Sequence, residues 1–549
     1  MNIRTRILSV ITASVFAASM LSGCAAKPTS AAKKTNDPVV AARLENLNLQ
    51  GFPIVKQPIT LKFMVGRHYT QDSYANILTW PTYEKMTNIH IDWDEVLMDN
   101  ISEKRNLVLA SGQNLPDGFF RCGFAQRDPQ KYGTQGLFVK WNDLVDQYMP
   151  NFKKVMSSMD DVKKGLPSVD GSIYALPSVS DSIEMEVGTK LYMNQKYLDK
   201  IGKKLPTNLD ELYDVLKAMR DNDANGNGKQ DEIPLSLSSL STLLNGFKGA
   251  FGLMNRGYWQ GNVDADPKTG KLRFIPTAPE FRQMLEYLNK LYKEKLIDNE
   301  VFTNTSAKVT AKVEMGVVGS FLHTNTTIAG SKYVNDYTGL TEALKGPNGD
   351  KMWAAIRSKM NGKGAFAMTP NDQYPEATAR WMDYWYGEEG SKLFYLGVEG
   401  VSFEKTSDGK YQFIPDKIKI KPGSTYDQTV AKFSPYAGGG SPVIALSKYF
   451  QGAEMLPVPA KAAQDMQKYA PKELWGYFNY TDEESEELAS LEADMFKGYY
   501  DNIVPKFISG DTPLNDQTWN DYVAQFDKLN LKRLMEIYNT GYDRYKNMK

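Results

Sequence analysis

Ile59-Thr-Leu-Lys-Phe-Met-Val65 opens the folded part of the chain with an alternation of apolar and polar side chains that reads as a strand. The period then changes and changes back. Tyr74 to Met86 has helical spacing, Ile89-His-Ile-Asp-Trp93 is again a strand, Asn100 to Ala110 is a helix, and Leu115-Pro-Asp-Gly-Phe-Phe120 is a turn and strand. Strand, helix, strand, helix, strand predicts an α/β layer with a largely parallel sheet. Ligands of such sheets sit outside the carboxyl ends of the strands, which marks Arg67, His68, Tyr69, Arg121 and Phe124 as residues near a cleft.

Towards the amino terminus, Arg4 and Arg6 precede the apolar run Ile7 to Met20, the pattern of an export signal too short for a comfortable membrane span. Leu21-Ser-Gly-Cys24 follows and resembles a lipobox, so residues 1–23 are expected to be a lipoprotein signal peptide and Cys24 the lipidated first residue. Only Cys122 is then left, which excludes a disulfide within the mature chain. Residues 24–50 are small, polar and charged and are expected to be a flexible tether.

The chain's 549 residues exceed one ordinary core and predict two lobes. Basic and acidic residues balance at 65 each, which gives no footprint for nucleic acid. Aromatic residues make up 12% of the chain, more than a core needs, as in carbohydrate sites.

The stretch Asp221-Asn-Asp-Ala-Asn-Gly-Asn-Gly-Lys-Gln-Asp-Glu232 alternates hard oxygen donors with turn-forming glycines, which suits calcium. Two registers fit, one starting at Asp221. The preferred one takes Asp223, Asn225, Asn227, the Lys229 carbonyl, Asp231 and Glu232, because it places Lys229 where only a backbone oxygen is needed. The bland alternative is a solvated polar turn. Thr207 is expected to cap the helix that leads into the loop, and Ile233-Pro-Leu-Ser-Leu is too short for a second EF-hand helix. A structural calcium staple is expected, not a paired sensor.

Beyond the loop, Asp264 to Phe274 reads as a hairpin and Pro279 to Glu294 as a helix. Trp381, Tyr384, Trp385 and Tyr386 lie at helical spacing and are expected to be mostly core. Gly438-Gly-Gly440 lacks the Gly-Lys-Ser/Thr of a phosphate cradle and is expected to line a cleft. The acidic run from Asp482 is expected to be a solvated helix start. No Gly-x-Ser-x-Gly, His-Glu-x-x-His or P-loop occurs, and His68, His90 and His323 are not spaced as metal ligands. A glycosidase, whose two carboxylates leave no local motif, is the remaining enzymatic rival.

Leu109-Ala-Ser-Gly-Gln-Asn-Leu-Pro-Asp117, Gly136-Leu-Phe-Val-Lys-Trp-Asn-Asp-Leu144, Asp170-Gly-Ser-Ile-Tyr-Ala-Leu-Pro177, Leu191-Tyr-Met-Asn-Gln-Lys-Tyr-Leu-Asp199, Lys204-Leu-Pro-Thr-Asn-Leu-Asp-Glu211 and Asp231-Glu-Ile-Pro234 follow one another in order. Together they resemble the extracellular solute-binding lipoproteins of carbohydrate ABC importers, in the LplA-type and alginate-oligosaccharide-binding branch, from about Ile59 to the C terminus. The resemblance implies a two-lobed, type II periplasmic-binding-protein-like α/β fold with a cleft between hinged lobes, and Gly316-Val-Val-Gly-Ser-Phe321 resembles the segment that returns to the first lobe. Lobe 1 is expected at approximately 57–180 and 312–370, and lobe 2 at approximately 181–311 and 371–549. The resemblance further implies a monomeric binding protein, not an enzyme, lipid-anchored on the extracytoplasmic face of the cell membrane, which passes oligosaccharides, uronate-bearing ones included, to a membrane permease. The expected ligand contacts are Arg67, for a uronate carboxylate, with Tyr69, Trp259, His323 and Tyr436. A secreted carbohydrate-active enzyme and a sugar-sensing partner of a membrane kinase are the alternatives.

Overall fold

The computed structural model describes residues 37–254, 256, 261–266, 269–421, 424 and 426–548, so Cys24 and Trp259 lie outside the described residues. The chain divides into an amino-terminal unit ending at Glu45 and a second unit, Asn46–Lys549. Within the segment expected to be a flexible tether, Pro38–Asn46 is a helix with no buried residue. The correction has a local cause. Pro38 stands at its first position, Asp37 Oδ1 accepts from the Val39 N–H at 2.8 Å, and Ala, Arg, Leu and Glu favour the helix that follows.

In chain order, the strands of the two main sheets are β1 (Ile59–Arg67), β2 (Ile89–Leu97), β3 (Gly118–Phe120), β4 (Leu176–Ser180), β5 (Lys190–Asn194), β6 (Ser320–His323), β7 (Tyr337–Gly339), β8 (Met360–Met368) and β9 (Ile444–Ala445). The first sheet has the order β9-β4-β8-β3-β1-β2. β1 runs parallel to both β2 and β3, while β8 is antiparallel to β3 and β4. This is the predicted largely parallel layer. Met64 is buried along with Phe63 and Val65, so the alternation of β1 fades where protein covers both faces. Trp80 from the helix Thr79–Thr87 stacks on Trp381 with ring centroids 6.0 Å apart, and Trp381 also meets Phe63. Trp381, Trp385 and Tyr386 are buried, as their helical spacing predicts.

The second sheet has the order β6-β5-β7, all antiparallel. Gly316–Phe321, expected to return to the first lobe, leads instead into β6, which pairs Lys190 with His323 and Met193 with Ser320. Tyr337 of β7 donates to the Val318 carbonyl at 2.6 Å and Tyr197 donates to that of Gly316, so this segment is pinned beside β5. Conversely, β9 pairs with β4, and Trp381 packs on β1, so residues 375–445 contribute to the first sheet. The approximate lobe limits at 312–370 and 371–549 are revised on these pairings.

The chain passes between the sheets at 181–189, at 340–359 and again after β9. The first two passages are bonded to each other. Val187 bridges Ile356, the Arg357 N–H donates to the Glu186 carbonyl at 2.8 Å, and Trp353 Nε1 donates to the Thr189 carbonyl at 3.1 Å. Short paired passages of this kind form a hinge.

Two helix starts differ from the sequence expectation. The cap of the helix Leu209–Asp221 is Asn208, whose Oδ1 accepts from the Glu211 N–H at 2.9 Å, while Thr207 bonds the Glu211 carboxylate at 2.8 Å. The acidic helix Asp482–Glu492 has a capping box at Thr481 and Glu484, but its face is not merely solvated. Glu487 pairs with Arg533 at 2.7 Å, Glu492 with Arg127 at 2.8 Å, and Glu484 with Arg544.

Candidate functional site

At the carboxyl ends of β1 and β3 the chain gathers several of the predicted residues. Arg67 Nε lies 3.2 Å from Glu95, and its Nη1 donates to the Gln71 carbonyl, so this guanidinium is already matched within the fold. Tyr69 is 76% exposed, with its ring 4.3 Å from that of His68. Arg121 is buried in the left-handed region at φ 56°. It donates from Nε to the Gly66 carbonyl at 3.0 Å and from Nη1 to the Pro435 carbonyl at 2.8 Å, which ties the loop 434–441 to the sheet. Burial first, then the nearby Arg121 charge, lowers the His68 pKa. Gly438 passes so close that a Cβ there would lie 2.8 Å from Met98 Sδ and 2.9 Å from the His68 ring, at φ +88°. The glycine run therefore serves close backbone approach beside the strand ends.

Next to this loop, half-buried Tyr436 packs edge-on against Phe450 at 4.9 Å and tilted against Tyr395 at 5.5 Å. A single carboxylate, Glu454, links its surroundings. Burial first, and then Glu454, raises the pKa of both Tyr436 and Asp427. From the second sheet, Lys190 on β5 is held down to about 8 by burial, with Glu454 opposing, and Tyr192 is raised by burial and Glu454. His323 at the end of β6 is lowered by burial against the pull of the Asn325 carbonyl, 2.9 Å from Nδ1, and of Glu454. Arg357, from the second passage, is exposed and acts on both Lys190 and Tyr436. Asp427 is exposed, yet protein close by desolvates its carboxyl.

Of the predicted contacts, Tyr436 and His323 fall within the field of Glu454, whereas Arg67 and Tyr69 lie at the strand ends and Arg67 is engaged by Glu95. Asp427, Glu454, Lys190 and Arg357 were not among the predicted contacts. Only Lys190 left a trace, a charge opening the apolar run Leu191-Tyr-Met193. Around Glu454 stand the carboxylate of Asp427, the guanidinium of Arg357 and the phenol ring of Tyr436, groups able to hold hydroxyls and an apolar ring face, while Lys190 is buried with its ammonium on the Val187 carbonyl at 2.9 Å.

The loop at 223–232 is a separate site. Gly226 and Gly228 both have φ 78°. The Asn227 N–H donates to Asn225 Oδ1 at 2.9 Å, the Lys229 N–H to Asn227 Oδ1 at 2.8 Å, and the Gly228 N–H to Asp223 Oδ2 at 3.2 Å. Asn225 and Asn227 also donate to the Asp231 carboxylate at 2.9 and 3.0 Å. Asp223 Oδ1 and Glu232 Oε2 are buried with no hydrogen-bond partner. Asp221 is taken up by Arg220 at 2.7 Å and Lys217 at 3.5 Å, away from the register that starts at Asp223. Among the described residues no three His, Cys, Asp or Glu side chains already stand together as a metal cluster. Two orphaned carboxylate oxygens closing a turn of amide oxygens nonetheless fit a hard cation.

The chain is 27% identical over 511 residues, 90% of its length and 92% of the relative's, to the fructooligosaccharide ABC transporter substrate-binding protein FusA of Streptococcus pneumoniae. The structure of FusA in complex with kestose matches with a TM-score of 0.71 at 25% identity, covering 89% of this chain and all of that one. An EF-hand mutant of FusA with fructo-nystose matches at 0.70 and 25% identity over the same shares. The fold is shared with the alginate-binding protein AlgQ2 without calcium ion, at a TM-score of 0.69 and 22% identity over 90% of this chain and all of that one. Over 28% of this chain and 32% of its own length, the lipoprotein LipO of Bacillus subtilis is 29% identical. The family model for bacterial extracellular solute-binding proteins matches residues 81–412, so the chain is a type II binding protein, not an enzyme, and belongs to that family.

Proposed function

We propose that this chain captures neutral oligosaccharides in the groove around Glu454 and Tyr436 and presents them to the membrane permease of an ABC importer. The observation that carries this reading is that Lys190 and His323 from one sheet, Tyr436 from a loop and Asp427 from the short helix Tyr426–Val430 all lie within the field of one carboxylate, Glu454. A ligand held between them favours the closed form, and the closed form is what a permease can recognise. The likeness to FusA along nearly its whole length supports the sugar class. Neutral sugars are favoured over uronates because Arg67 is matched by Glu95, and the cations Lys190 and Arg357 share their surroundings with the anions Glu454 and Asp427, which leaves no surplus positive charge for a carboxylate. Calorimetric titration with neutral and acidic oligosaccharides of equal length tests it. Binding of a peptide or small metabolite in place of any sugar overturns it.

Two further assignments belong to this reading. Calcium is held structurally by Asp223, Asn225, Asn227, the Lys229 carbonyl, Asp231 and Glu232, and its charge satisfies the two orphaned oxygens. The FusA EF-hand mutant supports a loop of this kind in the family. The mature chain is anchored outside the membrane through acyl chains on Cys24, since two chains hold where one is marginal. Cys24→Ser is expected to leave the precursor unprocessed or release it, and unchanged mass with full membrane retention contradicts the anchor.

A further inference from the structure

Away from the groove, a cavity of about 250 Å³ opens between the helix Leu240–Phe247, residues 261–262 and the segment that carries Phe496, Tyr500 and Asp501. Three features make it a built site. The first is backbone geometry, because Ala493–Tyr500 is a π-helix, a wide turn rare in proteins and frequent where side chains must be aimed. In an α-helix, residues five apart point about 140° away from each other. In a π-helix the hydrogen bond runs to the fifth residue, so that residue returns to nearly the same face. The widening therefore brings Asp501 onto the face that carries Phe496 and Tyr500, and all three line the cavity.

The second feature is Lys248, which also lines the cavity although it is only 5% exposed. Its ammonium has three donors, and the hydrogen bond seen is to the Gly261 carbonyl at 2.9 Å. Burial lowers its pKa to about 8, with Asp264 opposing. A buried ammonium on a cavity wall, with donors to spare, needs oxygen acceptors.

The third feature is the mixture of surfaces. Phe496 presents a partly open ring, braced by Phe274 at 6.0 Å and Tyr500 at 6.1 Å. Asn245 and Asn262 add amides that both donate and accept, and Asp501, whose pKa burial raises, adds a carboxylate at a solvent-reached edge. A ring wall with donors and acceptors around it suits a pyranose or furanose, which has an apolar face and a rim of hydroxyls. The volume lies just below the ~300 Å³ at which drug-sized pockets begin, which limits the occupant to one ring.

We infer that this recess is a second saccharide site, taking a single hexose ring stacked on Phe496, with Lys248 donating to its oxygens and Asp501, Asn245 and Asn262 pairing its hydroxyls. It shares no residue with the groove around Glu454 and does not depend on the assignment of that groove.

Saturation-transfer NMR on the full chain, with free glucose, galactose, mannose and fructose as probes, tests it. At least one hexose is expected to receive saturation from the wild type and to keep it in Tyr436→Ala, which damages the groove. Asn262→Trp fills the recess and is expected to abolish the signal while oligosaccharide affinity in calorimetry stays within twofold. Lys248→Met is expected to weaken it at least fivefold, and circular dichroism shows which variants fold. The proposal is overturned if no hexose receives saturation from the wild type, if Tyr436→Ala removes the signal, or if folded Asn262→Trp and Lys248→Met both retain it.

Discussion

The loop from Asp223 to Glu232 and the groove around Glu454 both set carboxylates among other polar side chains, yet they are put together in opposite ways. The loop is one continuous stretch whose glycines turn the backbone so that near neighbours face each other. The groove draws on positions 190, 323, 357, 427, 436 and 454, whose charges act on one another only after two sheets have formed. Their electrostatics differ as well. Burial opposes the charge of Asp223, but the Gly228 N–H and Lys200 outweigh it and lower its pKa, whereas burial and Glu454 together raise Asp427. The lesson is physical: carboxylate oxygens held without partners in a turn of amide oxygens suit a cation, whereas carboxylates set among cations and a phenol ring suit neutral hydroxyls.

The largest effect is expected in the groove. Tyr436→Ala removes the ring braced by Phe450 and Tyr395 and should weaken oligosaccharide binding about 100-fold, or ~3 kcal/mol, as loss of a buried aromatic anchor does. Chelation should lower the melting temperature of this variant by as much as that of the wild type, since the two sites are independent. A calorimetric Kd within threefold of the wild type counts against the groove.

Next comes the loop. A ligand bound only to the folded chain at a hundred times its Kd adds about 2.7 kcal/mol. Asp223→Ala with Glu232→Ala should abolish the response of melting temperature to chelator while leaving sugar affinity nearly unchanged. If the double variant melts like the wild type in calcium and in chelator alike, calcium is not held there.

A smaller effect comes from the hinge beside the groove. Burial first, with Asp161, Asp181 and Glu184 adding and Lys359 opposing, raises the Glu186 pKa to about 7. A raised carboxylate favours the folded state when protonated, so its cost is present above about pH 7 and is relieved as pH falls towards the usual value near 4.5. Glu186→Gln should flatten the pH dependence of stability between those limits by about 1 kcal/mol, discounted because solvent reaches the group. Denaturant titrations at both pH values check it, and parallel curves for variant and wild type refute it.

How legible each part was follows from how far apart its determinants lie. The parallel order of β1, β2 and β3 could be read because each strand is bounded by its own turns and helices. The placement of β6 could not, because the short run Val317-Val-Gly-Ser-Phe321 satisfies either sheet, and only Tyr337 and Tyr197 bonding its carbonyls decide between them. The cap at Asn208 was missed by one residue because Thr207 and Asn208 are both good caps, and the choice depends on which oxygen meets the Glu211 N–H. Asn208→Ala should accordingly cost about 1 kcal/mol, and Thr207→Ala less. Equal losses in paired denaturation curves undo that distinction. The aromatic helix at 375–385 was legible as core from its spacing alone, but that Glu454 gathers a groove had no local sign.

The most direct measurement compares wild type and Glu454→Gln/Asp427→Asn by calorimetry, with a neutral trisaccharide and a trigalacturonate as ligands. The groove as described predicts that the wild type binds the neutral sugar at micromolar Kd or better and the uronate at least tenfold more weakly, and that removing both charges narrows this gap mainly by improving the uronate. A wild type that binds the uronate as well as the neutral sugar, or a gap that the double variant leaves unchanged, contradicts it.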